Sequence, residues 1–261
     1  MKEQQFHYSM HMTFTSPVKE HHFTLRCIPQ TDERQRISNL EIEVFPNEFI
    51  SWTEDSFGNA CIYGYSKGEH DHFDIDVRGI AETGLSDAIS VGSMEKTAMY
   101  KYPSELTVPG EEIRKFDKQF AFSTDMSNYD KSYAIMQKLY QDFTYVSGVT
   151  NVSTTAEQAL TLGQGVCQDY SHIMLSVCRL EHIPARYVVG MLEGEGQSHA
   201  WVEIYDSGRW IALDPTNNLV VGEDHIKISN GRDYKDCMIN QGVFTGITEQ
   251  VQQVHVSVEE Q

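Results

Sequence analysis

The segment Gly163-Gln-Gly-Val-Cys-Gln-Asp-Tyr-Ser-His172 constrains this chain more than any other. Its two glycines permit a tight turn, and from Val166 onward the pattern is helical. Cys167 therefore falls in the first turn of a helix. Unpaired backbone N–H groups and the positive end of the helix dipole gather there, and both favour a thiolate. The same N–H groups are placed to hold an oxyanion. A fold built on this segment must pack the helix so that the sulfur meets a general base.

At about 100° per residue, Cys167, Tyr170, Ser171, Met174 and Cys178 share one helix face, and Gln168, Asp169, His172, Ser176 and Arg179 form a polar stripe. His172 points about 140° away from Cys167. It is read as structural, paired with Asp169 on the same stripe. Cys178 lies roughly 16 Å further along the axis, too far for a disulfide with Cys167. It reads as core, as do Cys27 and Cys61. The five cysteines (Cys27, Cys61, Cys167, Cys178 and Cys237) are scattered and include no C-x-x-C pair. Neither a disulfide framework nor a structural zinc site is expected, and a reducing compartment fits best.

The base and its partner are sought downstream. Ser198-His-Ala-Trp-Val-Glu-Ile-Tyr205 alternates, with Ala200, Val202 and Ile204 on one strand face and His199, Trp201, Glu203 and Tyr205 on the other. Asp206-Ser-Gly208 reads as a turn and residues 209–214 as the returning strand. A two-residue Ser207-Gly208 loop sets Asp214 opposite Trp201 and diagonal to His199 on the same face. A four-residue loop sets it directly opposite His199, and a three-residue loop without a bulge turns it to the wrong face. An even loop thus allows a triad: Cys167 as nucleophile, His199 as base and then acid, Asp214 orienting the imidazole. Gln164, Gln168 and Trp201 are the candidates for oxyanion or substrate contacts.

Residues 1–107 read as short strands. Phe6, Tyr8, Met10, Met12 and Phe14 alternate with polar residues, with breaks at Ser16-Pro17, Pro29–Asp32 and Pro46-Asn47. This suggests a β-sandwich. His21-His22 and His70-Asp-His72 are read as exposed strand-end histidines, so no metal site is expected. Tyr102–Gly110 reads as a linker. Helical patterns follow over residues 111–122 and from Ser127-Asn128 onward, with another capped at Ser153 or Thr154. Glu193-Gly-Glu-Gly196 reads as a loop at the lip of the cleft. Ile226, Ile228 and Tyr234 are expected to close the cleft behind Asp214. Val251, Val254, Val256 and Val258 give a strand signal with no evident sheet to join.

The formal charge of −18 over 261 residues argues against nucleic acid and anionic membranes as partners. No run of about 18 apolar residues marks a membrane span. Met-Lys-Glu-Gln-Gln lacks the form of a signal peptide, so a cytoplasmic location is expected.

Gly165–His172, Ile183-Pro-Ala-Arg-Tyr187, Ser198–Glu203, Asp214-Pro-Thr-Asn217 and Gly231-Arg-Asp-Tyr-Lys-Asp236 resemble the bacterial branch of the transglutaminase-like superfamily. Pro17-Val18, His21–Arg26 and Asp55–Asn59 are similar to the β-rich domain that precedes its catalytic part. The resemblance implies an α+β fold: a β-sandwich over 1–107, then a papain-like, transglutaminase-like core over 108–261 with the nucleophile helix on an antiparallel sheet. It implies Cys167, His199 and Asp214 as the catalytic residues, no cofactor, and a peptide or amide substrate. It also implies a cysteine peptidase or amidase working through a thioester. A transglutaminase with an amine acceptor and a catalytically silent binding module are the alternatives.

Overall fold

The computed structural model describes residues 1–90 and 94–261. Its longest element is the first strand, Lys2–Leu25. The expected break at Ser16-Pro17 is a bend inside this strand, where the pairing register shifts between Thr13 and Val18. Proline has no N–H to give to a ladder, which suits such a bend. Before it, the strand lies between Gln250–Glu260 and His70–Thr83; after it, between Asn240–Thr245 and Ala60–Ser66. Gln35–Phe45 and Phe49–Glu54 extend the sheet. The alternating Phe6, Tyr8, Met10, Met12 and Phe14 are all buried in one core with Phe23, Phe73 and Ile75.

The C-terminal valines find their sheet here. Val256 stands opposite Tyr8 and Val258 opposite Phe6. The segment expected to be wholly catalytic, 108–261, therefore gives two strands, Asn240–Thr245 and Gln250–Glu260, to the N-terminal sheet. A boundary at 107/108 does not separate the sheets. The physical reason is the backbone: both edges of the first strand carry N–H and C=O groups that need partners, and the long partner for one edge comes from the other end of the chain.

The histidine expectation also changes. His21 and His70 are buried, with His21 Nδ1 at 3.1 Å from His70 Nε2 and the rings stacked among Phe14, Phe73 and Phe244. Burial pushes His21 down to about 4, with His70 adding to it.

The second sheet is antiparallel, in the order Leu219–Val220, Arg209–Asp214, His199–Asp206, Ala185–Leu192, His225–Gly231. Helix Cys167–Leu180 packs on its Ala200, Val202 and Ile204 face. Asn128–Asp142, capped by Ser127, and Ala156–Leu162, capped by Thr155 with Gln158 reaching back, complete the helical layer. That second cap lies one or two residues beyond the expected one: Glu157, which could box Thr154, instead accepts from the N–H groups of Gly110, Glu112 and Ile113, and Gln158 boxes Thr155. Met191, Ile226 and Ile228 face the N-terminal core, so the two halves share one apolar seam.

The polar stripe of helix Cys167–Leu180 is not at the surface. Asp169, His172, Ser176 and Arg179 are all buried. The segment expected to be a linker folds over them with Leu106 and Thr107 buried. Ser176 Oγ donates to the Thr107 carbonyl at 2.9 Å. The Arg179 guanidinium donates to the carbonyls of Tyr100, Ala185 and Arg232 and to the hydroxyls of Ser104 and Thr107. Periodicity marks these residues as polar; it does not show that polar partners cover them. Arg179→Met should leave three buried carbonyls without their donor. A loss of at least about 3 kcal/mol is expected in urea unfolding, since each hydrogen bond to a charged group contributes about 1.5–3 kcal/mol.

Candidate active site

Helix Cys167–Leu180 begins at Cys167 itself, after the short pairing of Gln164-Gly165 with Thr144-Tyr145. Gly163 sits at φ 72° as the C-cap of the preceding helix, a conformation that favours glycine. At the third helical position Asp169 accepts from Val166 N–H at 2.8 Å and from Thr150 Oγ1 at 2.7 Å, which fixes the entry of the chain into the helix. Burial raises the Asp169 carboxyl. His172 does not pair with Asp169; its Nε2 accepts from Tyr234 N–H at 3.2 Å. Among the five cysteines only Cys167 is partly exposed. Burial pushes the thiols of Cys27 and Cys178 up to about 12.

The hairpin takes the two-residue form. Asp206 pairs with Arg209 and Val202 with Leu213, leaving Ser207-Gly208 as the loop. Both loop residues have positive φ, 49° and 87°, as a type I′ turn demands. Asp214 is therefore diagonal to His199 on one face. His199 Nε2–H donates to Asp214 Oδ2 at 2.7 Å. The other ring nitrogen, Nδ1, is left for Cys167, which lines two cavities with His199 and acts on its ring. Burial alone would lower the His199 pKa. The bonds to Asp214 and Cys167 outweigh it and bring the ring up to about 10.

Asp214 is fully buried, and its carboxylate is saturated. Oδ1 accepts from the N–H groups of Thr216 and Asn217. Oδ2 accepts from His199, from Asn217 Nδ2 at 2.7 Å and from His225 Nε2 at 3.1 Å. Burial works against its charge, but these donors, His199 first and His225 next, hold the carboxyl well below the usual 3.8. His225 was not singled out in the sequence. Its only signal there is a histidine opening the Ile226–Ile228 strand pattern. His199, Asp214 and His225 could also be taken for a metal site, since their donor atoms lie within 4.8 Å of one another. Both Asp214 oxygens are occupied by N–H donors, so the geometry is that of a hydrogen-bond network.

Three cavities meet at His199. One of 530 Å³ runs between the Ser147–Val152 loop and Glu195–Ser198. One of 350 Å³ is walled by Tyr8, Tyr187, Tyr234 and Val254. A third, open one reaches Tyr140, Phe143 and Asn217. Cys167 lines the first two. Gln168 lines them with it, its Nε2 3.4 Å from the Val152 carbonyl. Gln164 is held in the short parallel pair and lines none of the three. Trp201 does not line the cleft either. It is buried with Val188, Ala212 and Val221 and packs edge-on against His225 at 5.3 Å. It shares a strand face with His199, but His199 opens the strand and lines the cavities. Two residues further in, Trp201 is covered from the side away from the helix.

Residues 118–215 match the family described as the Transglutaminase-like superfamily, and residues 5–82 match the Bacterial transglutaminase-like N-terminal region. An uncharacterized protein of Mycobacterium leprae is 25% identical over 256 residues, 89% of this chain and 90% of its own length. An uncharacterized protein of Mycobacterium bovis is 33% identical over 141 residues, 48% of this chain and 45% of its own. The crystal structure of a "putative cysteine protease" from Cytophaga hutchinsonii aligns with a TM-score of 0.80 at 23% identity, over 99% of this chain and 90% of that one. At that identity the likeness is one of fold.

Folding tightens the proton on His199, so that proton favours the folded state. The contribution is complete below the ordinary histidine value of 6.5 and is lost as pH rises through about 10. The stability difference between wild type and His199→Ala, taken from urea midpoints, is expected to shrink across that window. A difference that grows would contradict the Asp214 bond as its source. His225→Leu removes one donor from a buried carboxylate, and a loss of about 2 kcal/mol is expected in the same measurement.

Proposed function

Since the chain belongs to the transglutaminase-like superfamily, we propose that it is a cysteine peptidase or amidase acting through Cys167, His199 and Asp214. The observation that carries this reading is the unbroken line from a partly exposed thiol, through His199, to a buried and saturated carboxylate. In it the N-terminal sheet is a β-sandwich standing before a papain-like core.

The cycle follows from the geometry. The thiolate of Cys167, whose proton sits on His199, attacks the amide carbonyl carbon, and the C–S bond forms. The charge that develops on oxygen faces the Cys167 N–H, one of the first amides of its helix, which have no partner inside the helix. His199 holds a proton at neutral pH and delivers it to the leaving nitrogen as the C–N bond breaks. The thioester remains. His199 then takes a proton from water, the resulting hydroxide attacks the same carbon, and the C–S bond breaks to release the acid. Asp214 keeps Nδ1 turned to the sulfur throughout. An amine in place of water would give transglutamination by the same steps.

The acidic surface suits neutral or basic substrates. Five unpaired cysteines suit a reducing compartment such as the cytoplasm.

A panel of peptide, glutamine-amide and ester substrates, with and without an amine acceptor, tests the reading. Cys167→Ala should abolish turnover of whichever substrate is active. Asp214→Asn should lower kcat by about a thousandfold or more, since the amide favours the wrong tautomer. Iodoacetamide should label Cys167 faster than a free cysteine at neutral pH. Labelling at the free-cysteine rate would remove the basis for an activated thiol.

A further inference from the structure

The proposed chemistry does not use the strand at the lip of the cleft. The sequence suggested a loop there, but Gly194–Gly196 is a strand that pairs with Val256–Val258 on one side. Among the described residues its other side is unpaired, so it ends the sheet. Its three residues are exposed. Glu195, Gly196, Gln197 and Ser198 line the same 530 Å³ cavity as Cys167 and His199. A strand edge presents a row of N–H and C=O groups ready to pair.

The glycines sharpen this. Gly194 has φ 106° and needs to be glycine for its backbone. Gly196 does not: its φ lies outside the left-handed region, and a Cβ built there would meet nothing within 4 Å. Gly190, on the neighbouring sheet, shows the contrast, since a Cβ there would come within 2.2 Å of Trp201. Nothing inside the chain asks for a glycine at 196. The empty space beside it belongs to the cleft, and a glycine within a strand marks a place where another backbone comes close.

We propose that the substrate is an extended polypeptide segment, which adds as a strand along the free edge of Gly194–Gly196 and is thereby carried across Cys167. Three residues at about 3.3 Å each give roughly 10 Å of track beside the sulfur. In strand addition the backbone supplies the affinity, so the recognised class is peptide chain free to extend. Small-molecule amides and amides held in a folded surface lack that backbone. Cavities lie on more than one side of His199, so such a chain has room to continue past the reacting carbonyl. This inference rests on the Cys167 acyl-transfer reading and adds what that site acts on.

The test compares two substrates, a small p-nitrophenyl ester and an unstructured oligopeptide, in wild type and Gly196→Val. A further set of oligopeptides is N-methylated at one backbone amide at a time. Valine suits a strand, but its side chain stands into the open cleft space over Gly196 that the side chains of the bound segment would need. Gly196→Val is expected to lower kcat/KM on the peptide at least about tenfold more than on the ester, mostly through KM, the size expected for about one lost backbone hydrogen bond. One N-methyl position should reproduce the loss in wild type. Peptide turnover indifferent both to the valine and to every N-methyl group would overturn the inference while leaving the thiol chemistry standing. Absence of any Cys167-dependent turnover, ester included, would overturn the acyl-transfer reading beneath it.

Discussion

A carboxylate taken wholly out of water governs the geometry of the candidate site. Burying the charge of Asp214 costs several kcal/mol, and it is tolerable only because five N–H donors converge on its two oxygens. The donors come from three separate constraints. Thr216 and Asn217 follow the proline that ends the strand. His199 is diagonal across a hairpin whose loop has two residues. His225 arrives from a strand three places away from that of Asp214 in the sheet. Losing the turn register would strip the carboxylate of His199 and leave a charge buried without its chief partner.

That carboxylate reaches the sulfur only through His199, and His199 can meet Cys167 because the helix packs on the opposite face of the same sheet. Ala200, Val202 and Ile204 hold the helix, while His199 opens the strand and lines two cavities together with Cys167 at the helix N-terminus. One alternation thus does two jobs. The helix is in turn held by its own buried polar side, where Arg179 fastens Ser104, Thr107 and the carbonyls of Tyr100, Ala185 and Arg232. The same sheet joins the N-terminal core through Met191, Ile226 and Ile228. The N-terminal half also reaches the cleft directly: Tyr8 of the first strand and Val254 of the last wall one cavity at Cys167.

The helix start at Cys167, the hairpin and an even-numbered turn were legible in the sequence because each depends on residues close in the chain; the pairing of Asp206 with Arg209 then chose the two-residue form. Gly163, the 3.6 periodicity after it, the alternation around His199 and the Ser207-Gly208 turn are local statements, and local sterics determine them. Pairing parity then carried the argument from the turn to the diagonal of His199 and Asp214. The histidines were less legible. His21 and His70 are far apart in sequence, and nothing local distinguishes a buried stacked pair from two exposed ones.

By itself, then, the sequence determined the periods, the turn and the residue types of a thiol–imidazole–carboxylate set. Only the tertiary structure decided which polar side chains lie under cover, that Gln250–Glu260 pairs with Lys2–Leu25, that Trp201 faces away from the cleft and that His225 shares the Asp214 oxygen. The reason is physical: burial and strand partnership depend on surfaces contributed by segments hundreds of residues apart, such as Val256 on Tyr8. No local pattern pairs Val256 with Tyr8, and none, even over eleven residues, aims His225 at Asp214.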